Sequence, residues 1–152
     1  MTLVGIVIGS KTDRDIIKST TNMLEQLDIN YELSVISGHR NPDKLRKYGL
    51  EAEKRGFKVI IAAAGKAAQL PGILASWTTL PVIGIPLAVG ELNGIDSLFS
   101  IAQMPGGVPV ACVGIGASGA KNAALLAAQI LGVKYAEIRR TYLKYKASLA
   151  EG

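Results

Sequence analysis

Short apolar runs rich in valine and isoleucine alternate with helix-length stretches along the chain. The runs cover residues 3–8, 31–36, 57–62, 81–85 and 108–115. Runs of this length, bounded by glycine, proline and polar residues, are typical of buried strands. Strands that pair in parallel need a connection of about a dozen residues or more, which is normally a helix. The alternation therefore predicts an α/β domain with a central parallel five-stranded sheet and helices on both faces.

The helix-length stretches carry their own signals. Apolar side chains recur at helical spacing over residues 16–27 after Asp13, which is a fair N-cap, and Pro42 suits the first turn of a second helix. Later stretches predict helices over residues 67–77, 95–104 and 121–131. The last of these is apolar almost all round, which predicts burial on more than one side.

A seam of tyrosine and aliphatic side chains runs along a final helix, predicted over about residues 134–150. Its members are spaced three, four, three and four: Tyr135, Ile138, Tyr142, Tyr145 and Leu149. Such a seam packs either on its own domain or on a neighbouring subunit. We expect this helix to take part in oligomer packing and predict a homo-oligomer.

Length and composition fit one domain with an aliphatic interior. A chain of 152 residues needs no second domain, so we take 1–152 as a single unit. Aromatic residues make up only 5% of the sequence against 49% hydrophobic residues, so the interior is built from Ala, Val, Ile and Leu. The net charge of +5 owes much to the last twenty positions, with Lys134, Arg139, Arg140, Lys144 and Lys146. Because no basic stripe with stacking aromatics crosses the rest of the chain, we expect a small anionic ligand and no nucleic acid.

The single cysteine and the absence of long apolar segments narrow the class further. Cys112 lies in an apolar run without a disulfide partner or metal-ligand spacing, which indicates a small buried hydrophobe. No apolar segment reaches about 18 residues without glycine, proline or charge, and no basic leader opens the chain. We therefore expect a soluble cytoplasmic protein with no membrane partner.

Polar residues cluster where the predicted strands end, which is where ligands bind in an open parallel sheet. After the first strand, Gly9 and Ser10 open a helical turn whose free N–H groups suit a phosphate, and Asp13 follows. The alternative, that Ser10 and Asp13 only cap the helix, is equally consistent with the spacing. The segment GIGASG follows the last strand and lacks an acid about twenty residues further on. It therefore predicts a tight turn with close backbone approach, not a dinucleotide site.

His39, the only histidine in the chain, lies in the segment VISGHRNPD at the end of the second strand. Histidine is the side chain whose ordinary pKa, near ~6.5, suits proton exchange at neutral pH. The neighbouring Arg40 can hold a phosphate or carboxylate bidentately. Without a second histidine or a cysteine nearby, a metal site is not expected. His39 is thus either an acid/base catalyst or an ordinary hydrogen-bonded loop residue.

Taken together, six segments resemble a known family. The chain carries GSKTD, SGHRNPD, AAQLPG, LPVIGIP, IDSLFSIAQMPGGVPVA and GAKNAALLAAQIL in the order and spacing of the catalytic subunit of phosphoribosylaminoimidazole carboxylase. The resemblance covers residues 4 to about 132. It implies a flavodoxin-like, three-layer α/β/α domain that assembles into a homo-octamer. In bacterial members it implies a mutase of de novo purine synthesis, which moves a carboxylate from the exocyclic nitrogen of an aminoimidazole ribonucleotide to C4 without metal or organic cofactor.

The resemblance also implies residue roles. His39 matches the proton carrier of the family, while Ser10, Asp13 and Arg40 match residues that bind the ribonucleotide and its phosphate. The same strand ends add further predicted substrate-binding residues: Gly9, Ser37, Gly65, Lys66 and Gln69.

The third strand end departs from the family pattern. The mutases usually read GAGGAAHLPG there, whereas Lys66 stands in place of a glycine and Gln69 in place of a second histidine. Gly38 also replaces a common alanine. Gln69 can form hydrogen bonds but cannot titrate. Lys66 brings a cation into the presumed CO2 pocket, unless it is simply a solvent-facing loop lysine.

Three alternatives to the mutase remain. The animal branch of the family, which carboxylates the ribonucleotide directly with CO2, tends to carry a charged residue at the position of Lys66. Its following Ser-Asn is absent here. Because fold does not determine function, a non-catalytic nucleotide or flavin module is a second alternative. A paralogue that carboxylates another nucleotide is a third.

Overall fold

The computed structural model describes all 152 residues, which form five strands and six α-helices in strict alternation until the last helix. The strands are β1 (Val4–Ile8), β2 (Tyr31–Val35), β3 (Val59–Gly65), β4 (Val82–Leu87) and β5 (Ala111–Cys112). The helices are α1 (Lys18–Gln26), α2 (Pro42–Glu51), α3 (Leu70–Trp77), α4 (Ile95–Ala102), α5 (Gly116–Gly132) and α6 (Ala136–Glu151).

All strand pairs are parallel, and the spatial order is β2-β1-β3-β4-β5. This is the flavodoxin-like arrangement, so the α/β prediction is confirmed. The order reverses next to β1, which pairs with β2 on one side and β3 on the other. Ile8, the last residue of β1, is in register with Val35 and Ala63. The carboxyl ends of three strands therefore meet at the point where the chain changes direction.

Alternate side chains of the sheet enter two separate cores. Ile6, Ile8 and Ile61 pack with α1 and α5 on one face, whereas Val7 and Ile60 pack with α2 and α3 on the other. Side chains that alternate between two apolar layers explain why the central strands read as continuous apolar runs. The arrangement is three-layered, as expected.

Helix α5 is buried on several sides, as its composition predicts. It packs against α1, α6 and the sheet, and five of its alanines are fully buried: Ala120, Ala123, Ala124, Ala127 and Ala128. Small side chains let α1 approach closely enough for the hydroxyl of Thr20 to donate to the carbonyl oxygen of Ala120 at 2.8 Å. None of the helices combines the length and the hydropathy that a membrane span requires.

The seam of α6 packs on its own domain. Ile138 is buried, and Tyr135, Tyr142 and Tyr145 pack against the core that α5 lines. The first four members of the seam therefore contact their own domain, which is one of the two partners expected for the seam. Leu149, near the end of the helix, remains exposed.

Several predicted boundaries are wrong. Asp13 does not cap α1: residues Lys11–Arg14 form a short 3₁₀ helix, and α1 begins only at Lys18. Strand β3 runs three residues further than predicted, to Gly65, and helix α3 starts at Leu70 rather than near residue 67. Strand β5 is two residues long instead of eight, because Pro109 has no N–H to donate to the ladder and Gly114 has a φ of 129°.

The GIGASG segment is partly helical, which corrects the boundary of α5. Residues 116–119 belong to α5, whereas the sequence indicated a turn before a helix starting at residue 121. The close backbone approach is confirmed: a Cβ built on Gly119 would lie 1.9 Å from the carbonyl oxygen of Gly114. Any side chain at position 119 would force the entry to α5 apart.

Candidate active site

A cavity of about 190 Å³ lies at the carboxyl ends of β1, β2 and β3, where the strand order reverses. This is the expected place for a ligand in a doubly wound sheet. Eleven residues line it: Gly9, Asp13, Ser37, Gly38, His39, Ala64, Gly65, Ala67, Gln69, Leu70 and Ile73. Six of the nine residues predicted for the site are among them. The other three, Ser10, Arg40 and Lys66, do not line the cavity.

The loop after β1 brings Gly9 and Asp13 to the cavity. A Cβ on Gly9 would meet nothing within 4 Å, so this backbone is open to a ligand. The hydroxyl of Ser10 accepts from the N–H of Thr12 at 3.3 Å, so Ser10 caps the 3₁₀ helix. For this residue the capping role expected as the alternative to ligand binding is therefore present. Asp13 lies in that helix and not at its cap. Burial raises the pKa of the Asp13 carboxyl, while a backbone hydrogen bond with Ser10 acts in the opposite direction.

The loop after β2 carries Ser37, His39 and Arg40, and it is held by its own hydrogen bonds. The hydroxyl of Ser37 accepts from Nε of Arg40 at 3.1 Å and from the Arg40 backbone N–H at 3.3 Å. Asn41 then caps α2, with Oδ1 accepting from the N–H of Lys44. No carboxylate forms an ion pair with Arg40. Its terminal guanidinium nitrogens are therefore available to an anion beside the cavity.

His39 and Gln69 meet across the cavity wall although they are thirty positions apart. Nε2 of His39 lies 3.0 Å from Oε1 of Gln69. The sequence pattern marked position 69 as the place of a missing imidazole; the structure shows that its replacement contacts the remaining one.

At the end of β3, the consecutive residues Gly65 and Lys66 differ in their position relative to the cavity. Gly65 lines the cavity, and a Cβ there would lie 2.3 Å from Cγ2 of Val89, so a larger residue would have to displace that side chain. Lys66 adopts the left-handed conformation, with φ of 55°, and is exposed. Its stem lies over the loop after β4, since a Cβ on Gly90 would be 3.1 Å from Cε of Lys66. In the free chain the ammonium is thus carried away from the cavity, and the binding role of Lys66 stays a prediction.

The sequence reading missed the apolar wall of the cavity. Ala64 and Ala67 flank Gly65, while Leu70 and Ile73 come from the first turn of α3. The spacing of Leu70 and Ile73 places both on one face of a helix that starts at a strand end, so the sequence contains a signal for this wall. The small residues around Gly65 are a second signal for it. Nowhere in the chain, the cavity included, do three His, Cys, Asp or Glu side chains stand close enough together to hold a metal ion.

Comparisons with known proteins agree with this geometry. A Thermotoga maritima protein named N5-carboxyaminoimidazole ribonucleotide mutase is 55% identical over 146 residues, which is 96% of this chain and 84% of that protein. A Pseudomonas aeruginosa protein of the same name is 51% identical over 149 residues, covering 98% and 91%. Among solved structures, Treponema denticola PurE superposes with a TM-score of 0.88 at 28% identity, covering 99% of this chain and 93% of that one.

The family model described as AIR carboxylase matches residues 3–152, and so takes in every strand, the cavity and α6. The order of the motifs, the reversal of the sheet at β1 and the single imidazole in the cavity agree with that match. The chain belongs to the AIR carboxylase family.

Proposed function

We propose that the protein is a 5-(carboxyamino)imidazole ribonucleotide mutase of purine biosynthesis, an isomerase that moves a carboxylate from the exocyclic nitrogen to C4. The observation that carries the proposal is the position of His39. The only imidazole of the chain lines a cavity at the edge of the sheet where the strand order reverses, together with Asp13 and Ser37. The names of two relatives that are 55% and 51% identical over the aligned residues support it.

The reaction suits a site with one titratable ring. The exocyclic nitrogen takes a proton as its bond to the carboxylate breaks, which releases CO2 and the free amine. C4 then forms a bond to CO2 and loses its own proton. A single group can give the first proton and take back the second, if CO2 stays beside the ring. The cavity of about 190 Å³, with its wall of Leu70 and Ile73, is small and partly apolar, which suits the retention of CO2.

The other side chains are proposed to bind the ribonucleotide. Arg40 holds the phosphate, because its guanidinium has no carboxylate partner. Ser10 and Asp13 bind from the loop after β1, whose N–H groups suit anionic and hydroxyl groups. Gly9, Gly65 and Ser37 border the ligand, and Gln69 borders it beside His39. Lys66 would reach a bound anion from outside the cavity by releasing its stem from Gly90. No metal or organic cofactor enters this proposal.

The assembly is proposed to be a cytoplasmic homo-octamer without nucleic-acid or membrane partners. Exposed apolar side chains support an oligomer, because a monomer rarely leaves large apolar side chains in water as clusters. Phe99 and Ile95 on α4 are 62% and 48% exposed, and α6 presents Leu143 and Leu149. Light scattering at micromolar concentration should report about eight times the 16.0-kDa chain mass. A mass equal to one chain would refute the oligomer.

The test of the activity is the substitution His39→Asn. The purified variant should lose interconversion of the N-carboxylated and C4-carboxylated ribonucleotides and still bind ligand in calorimetry, because asparagine keeps polarity without titrating. Gln129→Leu, on α5 and away from the cavity, serves as the control and should keep full activity. An active His39→Asn variant would refute the mechanism.

The same assay separates the mutase from its alternatives. The wild-type chain is supplied either with the N-carboxylated substrate or with aminoimidazole ribonucleotide and bicarbonate. Turnover of the first alone supports the mutase. Faster turnover of the second would replace it with a direct carboxylase, and turnover of neither would leave a binding module or a paralogue for another nucleotide.

A further inference from the structure

The backbone of Gln69 is fixed by two hydrogen bonds at the point where its side chain meets His39. It directly precedes α3; its N–H donates to the carbonyl oxygen of Ala67 at 2.8 Å and its carbonyl oxygen accepts from the N–H of Ile73 at 3.0 Å. Both backbone groups are therefore engaged, and the side chain projects from a fixed point. Its Oε1 reaches Nε2 of His39 at 3.0 Å. Both side chains also line the cavity.

The chemistry of the two atoms determines where the imidazole hydrogen sits. A carboxamide oxygen only accepts hydrogen bonds, so the partner nitrogen has to donate. Nε2 of His39 therefore carries a hydrogen, and in the neutral ring the lone pair is on Nδ1. A carboxamide neither loses nor gains a proton at neutral pH, so the Nε2 hydrogen has nowhere to go on this side.

We propose that Gln69 is a positioning residue that holds His39 in its Nε2–H tautomer, so that the catalytic proton enters and leaves through Nδ1. The route of the catalytic proton rests on the proposed function, whereas the assignment of the tautomer rests only on the contact between His39 and Gln69. A second imidazole at position 69 could donate, accept or relay a proton. A glutamine cannot relay a proton, and with Oε1 turned towards the ring it can only accept one hydrogen bond from Nε2.

The proton balance follows from that assignment. The imidazolium gives its Nδ1 proton to the exocyclic nitrogen as the bond from that nitrogen to the carboxylate breaks, and the ring becomes neutral. After C4 has bonded to CO2, Nδ1 takes the proton from C4 and the imidazolium returns. The Nε2–H bond to Gln69 persists through both steps, and it strengthens when the ring is charged. Gln69 therefore keeps the ring oriented while the proton moves on its other side.

The tautomer can be read directly, because the chain has one histidine and a ¹⁵N spectrum of its ring needs no assignment. In the wild-type chain, with the ring neutral, we expect Nε2 to resonate as a protonated nitrogen and Nδ1 as an unprotonated one. Gln69→Leu and Gln69→Met match the shape without an acceptor oxygen and should give a mixture of tautomers. Their turnover should fall about 10- to 100-fold, by analogy with the loss of partners that orient metal-bound histidines.

Two further variants define the control and the rescue. Gln129→Leu removes a glutamine whose amide donates only to the hydroxyl of Tyr142, so the ring spectrum and turnover should stay unchanged. Gln69→Glu keeps an oxygen at the same place and should retain the Nε2–H tautomer.

A hydrogen on Nδ1 of the neutral wild-type ring would overturn the proposal, as would an unchanged spectrum in both Gln69→Leu and Gln69→Met. If the wild-type protein shows no mutase turnover, the proposed function fails, while the ring spectra still decide whether Gln69 sets the tautomer.

Discussion

Ser37 accepts two hydrogen bonds from Arg40, one from Nε at 3.1 Å and one from the backbone N–H at 3.3 Å. Ser37 itself lines the cavity, whereas Arg40 does not. The serine therefore fixes the direction of a guanidinium that stands beside the site, and leaves the terminal nitrogens of that guanidinium for a ligand.

Ser37→Ala should weaken substrate binding through Arg40. Loss of a hydrogen bond worth about 1 kcal/mol should raise KM for the ribonucleotide about fivefold, with a smaller effect on kcat. Steady-state kinetics measure both. Ser148→Ala removes a hydroxyl that donates only to a carbonyl within α6 and should leave KM unchanged. An equal KM in wild type and Ser37→Ala would mean that the serine does not orient Arg40.

Asp13→Asn should stabilise the free protein at neutral pH. Burial raises the pKa of Asp13 above the ordinary value of 3.8, so the folded chain binds this proton more tightly than the unfolded chain. The associated stability is present below the unfolded value and is lost as pH rises through the folded one. Urea unfolding should therefore give similar free energies of unfolding for the wild type and the variant near pH 4. At pH 7 the variant should have the higher free energy of unfolding.

Glu53→Gln, which neutralises an exposed carboxylate, is the control and should show no comparable pH-dependent gain. A variant of Asp13 that is less stable than wild type at pH 7 would show that the carboxylate is stabilised in the fold. The same variant should bind the ribonucleotide more weakly, because stability and function conflict at this site.

Lys66→Gly should be more stable than Lys66→Ala by about 1 kcal/mol, because a side chain in the left-handed region is strained and glycine is not. The backbone φ of Lys66 is 55°. Both variants lack the charge, so the comparison isolates the backbone. Chemical denaturation measures the difference. If both variants also raise KM equally, the ammonium contributes to binding; equal stabilities would contradict the strain.

Tyr48→Phe should raise the free energy of unfolding by about 1 kcal/mol, the cost of a buried hydroxyl without a partner. Tyr48 is only 5% exposed, its hydroxyl makes no hydrogen bond, and burial raises its pKa. Thermal and urea unfolding measure the change. Tyr31→Phe is the matched control: that hydroxyl donates to Glu25 at 2.7 Å near the surface, so its loss should not stabilise. A destabilised Tyr48→Phe would reveal a partner for the hydroxyl.

Much of the scaffold follows from local pattern. Alternating apolar runs and helical stretches indicate parallel strands with crossover helices, because few other connections between parallel strands are possible. The all-round apolar surface of α5 likewise predicts its burial. Boundaries were less predictable, since they depend on single residues such as Pro109 and Gly114, whose effect on a strand depends on its neighbours in the sheet.

The amino-acid sequence was sufficient to predict the fold class, the strand ends that carry Asp13 and His39, and the family. The order of the strands, the loops that face one another and the directions of the side chains emerged only in the folded domain. The fold brought His39 and Gln69 to 3.0 Å, turned the stem of Lys66 onto Gly90, and left Ser10 and Arg40 outside the cavity wall. These relationships could not be predicted because they join residues far apart in the chain and arise from packing of the whole domain, which no local periodicity encodes.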